Sequence, residues 1–269
     1  MSFVRVLSCF IVAGVILLSR PVFAEEVKKI QDNSFLLEEA YNQEDGVVQH
    51  IQVFQYLKKS KDWQYTFTQE WPVPKQAHQF SYTIPITHLY DNDTTGVGDI
   101  LLNYRYQAIF QDRIALAPRF SLILPTGDYK KGLGTDTVGY QVNIPLSVEL
   151  SGKLVTHWNM GATYTPRAKD SAGEKSNIRG FNYGASLIYL ATENINLMLE
   201  AAGTSTETAQ LNGVKSTEST FFINPGMRFA INCKSGLQIV PGFSIPIGIG
   251  PSEGEYGGLV YLSFEHPLF

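Results

Sequence analysis

Eight ionisable side chains stand at alternate positions among small polar residues: Glu70, Arg105, Arg119, Glu149, His157, Glu200, Arg228 and Glu265. Four acids against three arginines and a histidine can act in two ways. Paired, they form a network of salt bridges and amides that fills an interior; left unpaired, they line a path that favours ions of one sign. The near balance fits a filled interior, or a narrow path for an uncharged or amphipathic solute with the charges paired off the route. Bond-making chemistry has less support. The patterns GxSxG, HExxH, P-loop and paired CxxC do not occur. A serine–histidine pair on one strand needs a serine two residues from the histidine, but Trp158, Asn159 and Met160 follow His157, and Ile51, Gln52 and Val53 follow His50. Asp91, Asp93, Asp128 and Asp136 lie in turn-rich stretches without the fixed ligand spacing of a calcium loop. "TGVGD" at 95–99 has glycines but no following helix to present amides to a phosphate, and reads as a turn. No catalytic residue, metal ligand or cofactor site is expected.

The elements that must position these charges are strands. In "DWQYTFTQEWPV" (62–73), Trp63, Tyr65, Phe67, Trp71 and Val73 share one face, interrupted by Gln69, while Gln64, Thr66, Thr68 and Glu70 share the other. "ILLNYRYQAIF" and "YQVNIPLSVEL" repeat the pattern, and each puts a member of the charged set on its polar face. Counting such runs gives about twelve strands: 47–57, 62–73, 78–86, 99–110, 114–125, 138–150, 154–166, 180–190, 195–204, 218–231, 237–247 and 257–265. Many reach ten residues, the length of a membrane-crossing strand (about 9–11) and above the usual soluble strand (about 5–6). Connections alternate short and long: "QDR", "SGK", "TEN" and "NCKSG" against 126–137, 167–179, 205–217 and 248–256. That parity is expected of an outer-membrane barrel with short periplasmic turns and longer external loops. Trp63 and Trp71 then mark opposite interfaces, and the oily faces meet lipid. The fold class is therefore all-β: a transmembrane, up-and-down, antiparallel barrel. Pro118, Pro145, Pro225 and Pro241 fall inside these strands, which predicts a ring of bulges or bends at one height.

The chain start reads as an export signal: "MSFVR" is basic, "VLSCFIVAGVILL" apolar, and "VFA" offers cleavage after Ala24. The organisation expected is a signal at 1–24, a periplasmic N-terminal segment at 25–46 and an outer-membrane barrel over 47–269. Beyond the signal no apolar stretch is long enough for a membrane helix. Cys9 leaves with the signal, so Cys233 has no internal disulfide partner. The exported chain keeps 25 acidic residues against 19 basic ones (21 less Arg5 and Arg20), which argues against a nucleic-acid partner. The segment ahead of the first strand, "EEVKKIQDNSFLLEEAYNQEDG", carries a helical-looking run from Ser34 to Tyr41. Its Phe35, Leu36, Leu37, Glu38 and Glu39 can plug the periplasmic mouth or enter the lumen; a flexible tail is the alternative.

Four stretches carry a resemblance: "NSFLLEEAYNQEDGVVQHI" (33–51), "TGVGDILLNYRYQ" (95–107), "LILPTGDYKKGLGTDTVGYQVNIPLS" (122–147) and "YLSFEHPLF" (261–269). Together they resemble the outer-membrane family named for the MetA pathway of phenol degradation. The resemblance implies a Gram-negative outer-membrane barrel, partnered by outer-membrane lipid and the barrel assembly machinery, that passes a small hydrophobic or aromatic solute. It carries over no catalytic residue. The expected function is passive uptake or efflux of a small molecule. The competing readings are a plugged structural barrel serving envelope integrity or a protein partner, and an outer-membrane lipid hydrolase using His157.

Overall fold

The computed structural model describes residue 30, residues 32–210 and residues 214–267; the export signal expected at 1–24 and the terminal Phe269 lie outside them. Among the described residues twelve strands follow one another around a closed barrel. They are β1 (Val47–Leu57), β2 (Trp63–Pro72), β3 (His78–Leu89), β4 (Thr94–Val97, Ile100–Tyr106 and Ile109–Gln111), β5 (Ile114–Leu116 and Arg119–Leu124) and β6 (Gly139–Asn143 and Leu146–Ser151). The other six are β7 (Leu154–Lys169), β8 (Lys175–Thr192), β9 (Ile195–Gln210), β10 (Val214–Phe229 and Ile231–Asn232), β11 (Gln238–Ser244 and Ile247–Gly248) and β12 (Gly257–Pro267). Each strand pairs antiparallel with the next. The last closes on the first in an unbroken register from Val47 opposite Pro267 to Leu57 opposite Gly257. Closure leaves no free edge, which a sheet in hydrocarbon requires because lipid offers no hydrogen bonds.

Burial is inverted relative to a water-soluble sheet. On β7, Trp158 is 52% exposed while the adjacent His157 is 1% exposed. Phe181, Tyr183, Leu187 and Tyr189 of β8 face out, whereas Ser186 between them is buried. Large apolar residues recur on the outside of nearly every strand, a belt far beyond the patches tolerated on soluble monomers. Lipid solvates it. Trp63 opens β2 and Trp71 stands one residue from its end. Gln69, the polar residue that interrupts the aromatic face between them, accepts a hydrogen bond from Tyr82 Oη at 2.7 Å. Gln52 on the same surface accepts from Tyr65 Oη at 3.0 Å. The tyrosine hydroxyls satisfy the two amide oxygens that would otherwise meet hydrocarbon unpaired.

Three expectations need correction. The stretches 167–179 and 205–217 are mostly strand: β7 reaches Lys169, β8 begins at Lys175 and β9 continues to Gln210. Polar cross-strand pairs carry the ladder above the apolar belt, including Thr204–Thr220, Thr208–Ser216 and the Lys215–Glu207 ion pair. The ring of proline bends is only half present. Pro118 and Pro145 sit at breaks in β5 and β6, but Pro225 and Pro241 lie within unbroken segments of β10 and β11. Pro225 pairs with Leu199 on one side, and its carbonyl accepts from Ile245 N on the other, so its missing N–H does not interrupt the strand. Finally, Ser34–Tyr41 forms no helix. It is part of an irregular strap, Asp32–Gln43, that crosses the interior of the barrel.

Candidate functional site: an occupied lumen

The strap lacks a neighbouring strand, so its backbone must find partners among side chains. Inward residues of the wall supply them. Asn159 accepts from Glu38 N at 3.0 Å and donates to Glu38 O at 2.7 Å. Gln107 does the same around Ala40, accepting from Asn42 N at 2.9 Å and donating to Ala40 O at 2.7 Å. Gln79 accepts from Gln43 N at 2.7 Å, and Ser147 from Ala40 N at 2.8 Å. Wall amides thus stand in for a strand edge. A helix would have satisfied the same groups internally, but it would have left these inward amides without partners.

Four of the eight charged wall residues bind the strap directly. Arg228 donates to the carbonyls of Ile30, Asp32 and Asn33 at 3.1, 2.7 and 2.6 Å. Glu200 accepts from Leu36 N at 2.9 Å and from Asn224 Nδ2 at 2.7 Å. Arg105 grips Asn42 Oδ1 at 2.8 Å and the Glu39 carbonyl at 3.1 Å, with Glu70 alongside at 4.0 Å. Arg119 forms a salt bridge with Glu38 at 2.6 Å. The remaining members stand behind these contacts or beside a cavity. Gln79 donates to Glu70 at 2.7 Å, Gln49 donates to Glu265 at 2.9 Å, and Glu149 and Glu265 line a cavity described below. The charges therefore meet mainly on the strap rather than across an empty barrel.

His157 has a serine partner that the along-strand search could not find. Its Nδ1 lies 2.7 Å from Ser147 Oγ, on the neighbouring strand. Both residues are buried, and the same Oγ receives the strap's Ala40 N–H. A nucleophilic serine needs an exposed oxygen; this one is covered and anchors the strap. His50 faces the lipid side and stacks on His266 at 5.3 Å between ring centres.

The apolar part of the strap fits by shape. Phe35 packs edge-on against Tyr261 at 5.7 Å and lies over two glycines of the wall. A methyl group at Gly226 or Gly242 would come within 2.6 Å of the Phe35 ring, and one at Gly184 within 2.6 Å of Leu37. Close approach is the reason for glycine at these strand positions. Asp32 fixes the start of the strap. Its carboxylate accepts from Ser263 Oγ at 2.6 Å, from Gln49 Nε2 at 2.8 Å and from the Tyr261 hydroxyl. Asp32, Gln79, Gln107, Ser147 and Asn159 were outside the candidate set. Their position on the polar face of an alternating strand was the available signal for all but Asp32, and no sequence signal marked the glycines.

The strap divides the lumen into two chambers. On the short-turn side lies a cavity of about 910 Å³, walled by Glu39 and Tyr41 of the strap with Glu149, Val155, Leu190 and Glu265 of the barrel. On the long-loop side lies one of about 260 Å³, lined by Phe35, Leu36 and Leu37 with Ile51, Leu101 and Tyr261. The loop aspartates have local tasks. Asp128 accepts from Lys130 N at 3.0 Å and Asp136 pairs with Lys169, while Asp93 and Asp136 adopt left-handed backbone angles of 43° and 56°. Asp99, from "TGVGD", accepts from Gly127 N at 2.9 Å and Thr135 N at 3.0 Å, folding the 126–137 loop onto the rim. Glu255 pins the first loop, accepting from Lys59 N at 2.7 Å and Ser60 N at 3.0 Å. Partial burial opposes its ionisation, but these amides and that of Tyr256 outweigh it and hold the carboxyl below the ordinary glutamate range.

A closed antiparallel barrel with an apolar exterior and a polar, occupied interior defines an outer-membrane-type β-barrel protein. The chain belongs to the family described as "Putative MetA-pathway of phenol degradation", whose model matches residues 39–245. Among solved structures it is similar to an outer membrane channel from Pseudomonas putida F1, with TM-score 0.63 and 14% identity over 84% of this chain and 97% of that one. It is also similar to a NanC porin, with TM-score 0.54 and 9% identity over 81% of this chain and 100% of that one. At these identities the likeness is one of fold. No curated protein matches the sequence.

Proposed function

We propose that the chain is a passive channel of the bacterial outer membrane for a small hydrophobic or aromatic solute, uncharged or amphipathic, with no cofactor and no covalent step. One observation carries this reading: the barrel wall leaves two chambers, and the segment between them is covalently continuous with the wall where residues 44–46 lead into β1 and is otherwise held there by hydrogen bonds, ion pairs and packing. Movement of the strap would join the chambers into a path. The family and the channel folds that the chain resembles support the reading. The short turns are assigned to the periplasm, and the export signal, outer-membrane lipid and barrel assembly machinery bring the chain to its place. Nucleic acid has no part in it.

A second reading, a permanently plugged barrel serving envelope integrity or a protein partner, is favoured by the density of hydrogen bonds along the strap. Planar-bilayer conductance separates the two. The full chain should show infrequent openings, which a permanent plug would never give, and a chain lacking residues 25–46 should conduct. Silence in both would overturn the channel reading. Lipid hydrolysis is the least supported alternative, since the Ser147–His157 pair is buried inside the lumen rather than facing lipid. Phospholipid turnover abolished by His157→Ala would restore it; none is expected.

A further inference from the structure

The chamber on the short-turn side carries an excess of acidic groups among neutral polar and apolar residues, with the His266 imidazole the one basic side chain among its described lining residues. Glu39, Glu44, Asp112, Glu149 and Glu265 line its volume of about 910 Å³, and no lysine or arginine does so among the described residues. The basic residues of the short turns, Lys75, Arg113, Lys153 and Lys234, are not among its lining residues. Of the three arginines that bind the strap, Arg119 pairs with Glu38, and Arg105 and Arg228 act on the chamber through their charge from behind its wall, with their N–H groups directed mainly to backbone carbonyls. Arg105 donates to the carbonyls of Glu39 and Tyr41, and Arg228 donates to those of Ile30, Asp32 and Asn33. Glu39 is 3% exposed, and its Oε2 makes no hydrogen bond although it belongs to the wall of this chamber. A buried carboxyl oxygen without a donor is costly to ionise, and a cation or ammonium group held in the chamber beside it would offset that cost. A concave site lined by one sign of charge with low-dielectric walls concentrates ions of the other sign.

We propose that this chamber is a cation-selective antechamber. It concentrates inorganic cations and ammonium-bearing solutes at the Glu39 end of the strap and excludes phenolate and carboxylate forms. The proposal deepens the channel reading and rests on it for its consequence in transport: an ionisable aromatic solute would cross neutral or as an amine, not as an anion. The electrostatic claim itself can be tested without conduction.

Cys233 supplies the reporter, because it is exposed and lines the same chamber. Folded full-length protein in detergent is treated with a trimethylammonium and a sulfonate methanethiosulfonate of similar size. Each rate is normalised to a free thiol, and a Cys233→Ser chain sets the background. The cationic reagent should react about 10-fold faster, the lower end of the enrichment expected in a like-charged cleft, and the ratio should collapse toward one in high salt. Glu39→Gln combined with Glu149→Gln should lower the ratio to about 3-fold, with folding verified by heat-shifted gel migration. Should that variant not fold, the salt series on the unaltered chain decides. A ratio near one at low salt, or a faster anionic reagent, overturns the proposal. Reversal potentials of the openings of the full-length chain, which keeps Glu39 and Glu44 in the chamber wall, give the transport consequence. Silence there overturns the channel reading and leaves the labelling ratio standing; an anion-selective current overturns the antechamber.

Discussion

The two halves of the strap enter the same lumen and are held by different physics. Asp32–Leu37 faces β8 to β12, where the wall adds glycines and an aromatic ring to the hydrogen bonds of Arg228 and Glu200. Phe35 and Leu37 lie on backbone that a single methyl group would block. Glu38–Gln43 faces β3 to β7, where β4, β5 and β6 are broken into segments, and there the strap is held by guanidinium groups and amides. Shape complementarity is all or nothing, because packed atoms do not yield gradually. Charge and hydrogen bonds can be removed one at a time, each with its own cost. The first half adds a lock to its ties, and the second is held by separable ties alone.

The comparison can be broken most forcefully at the lock. Gly242→Leu should unseat Phe35. Overpacking by about 1–3 kcal/mol translates into a rise in single-channel open probability of roughly 5- to 150-fold. Adding Phe35→Ala should return the strap to the lumen; failure of that rescue would mean the glycine serves the wall and not the ring. Among the ties, Arg119→Ala should matter most. It leaves Glu38 without its guanidinium, and the site is partly open, so an effect of about 1–2 kcal/mol is expected, roughly a tenfold increase in opening. Replacing both partners, Glu38→Gln with Arg119→Gln, should fall nearer the unaltered chain, because no charge is then left unpaired. Ser147→Ala removes one hydroxyl from Ala40 N and should cost about 1 kcal/mol, near fivefold in opening. An effect equal to that of Gly242→Leu would dissolve the distinction between lock and ties.

The smallest effect lies outside the lumen. The Glu255 carboxyl is held low in the folded chain, so the staple on Lys59 and Ser60 contributes fully above the ordinary glutamate range. It is lost as pH falls through the depressed folded value. Amide exchange at Lys59 and Ser60, read against pH, should lose protection only at that acid end. Strap opening should be unaffected over the same range, and a parallel change in opening would tie the rim to the plug.

Much of the wall was legible because period-two alternation is a local property. β1 starts and ends where the pattern does, at Val47 and Leu57, and Gln107, Asn143 and Ser147 stand on the polar face that the alternation assigns. The strap was not. Its helical spacing from Ser34 to Tyr41 is real in sequence, but the partners that override it are remote, such as Asn159 at a separation of 121 residues and Glu200 at 164. The proline ring failed for a related reason. At Pro225 the strand runs on because Leu199 pairs with it and Ile245 N donates to its carbonyl, and the break falls instead in the neighbouring β11, between Ser244 and Ile247, which no local rule can anticipate.

The sequence alone determined that the strands alternate, that they number about twelve, and that their oily faces meet lipid, because each of these follows from the order of residues along a single strand. Only the tertiary structure decided what fills the barrel, which serine meets His157, and which glycines receive Phe35 and Leu37. Those outcomes depend on strand pairing, which sets Ser147 against His157 across a hairpin, and on curvature and closure, which bring the strap against wall residues more than a hundred positions away; pattern along the chain carries no measure of either.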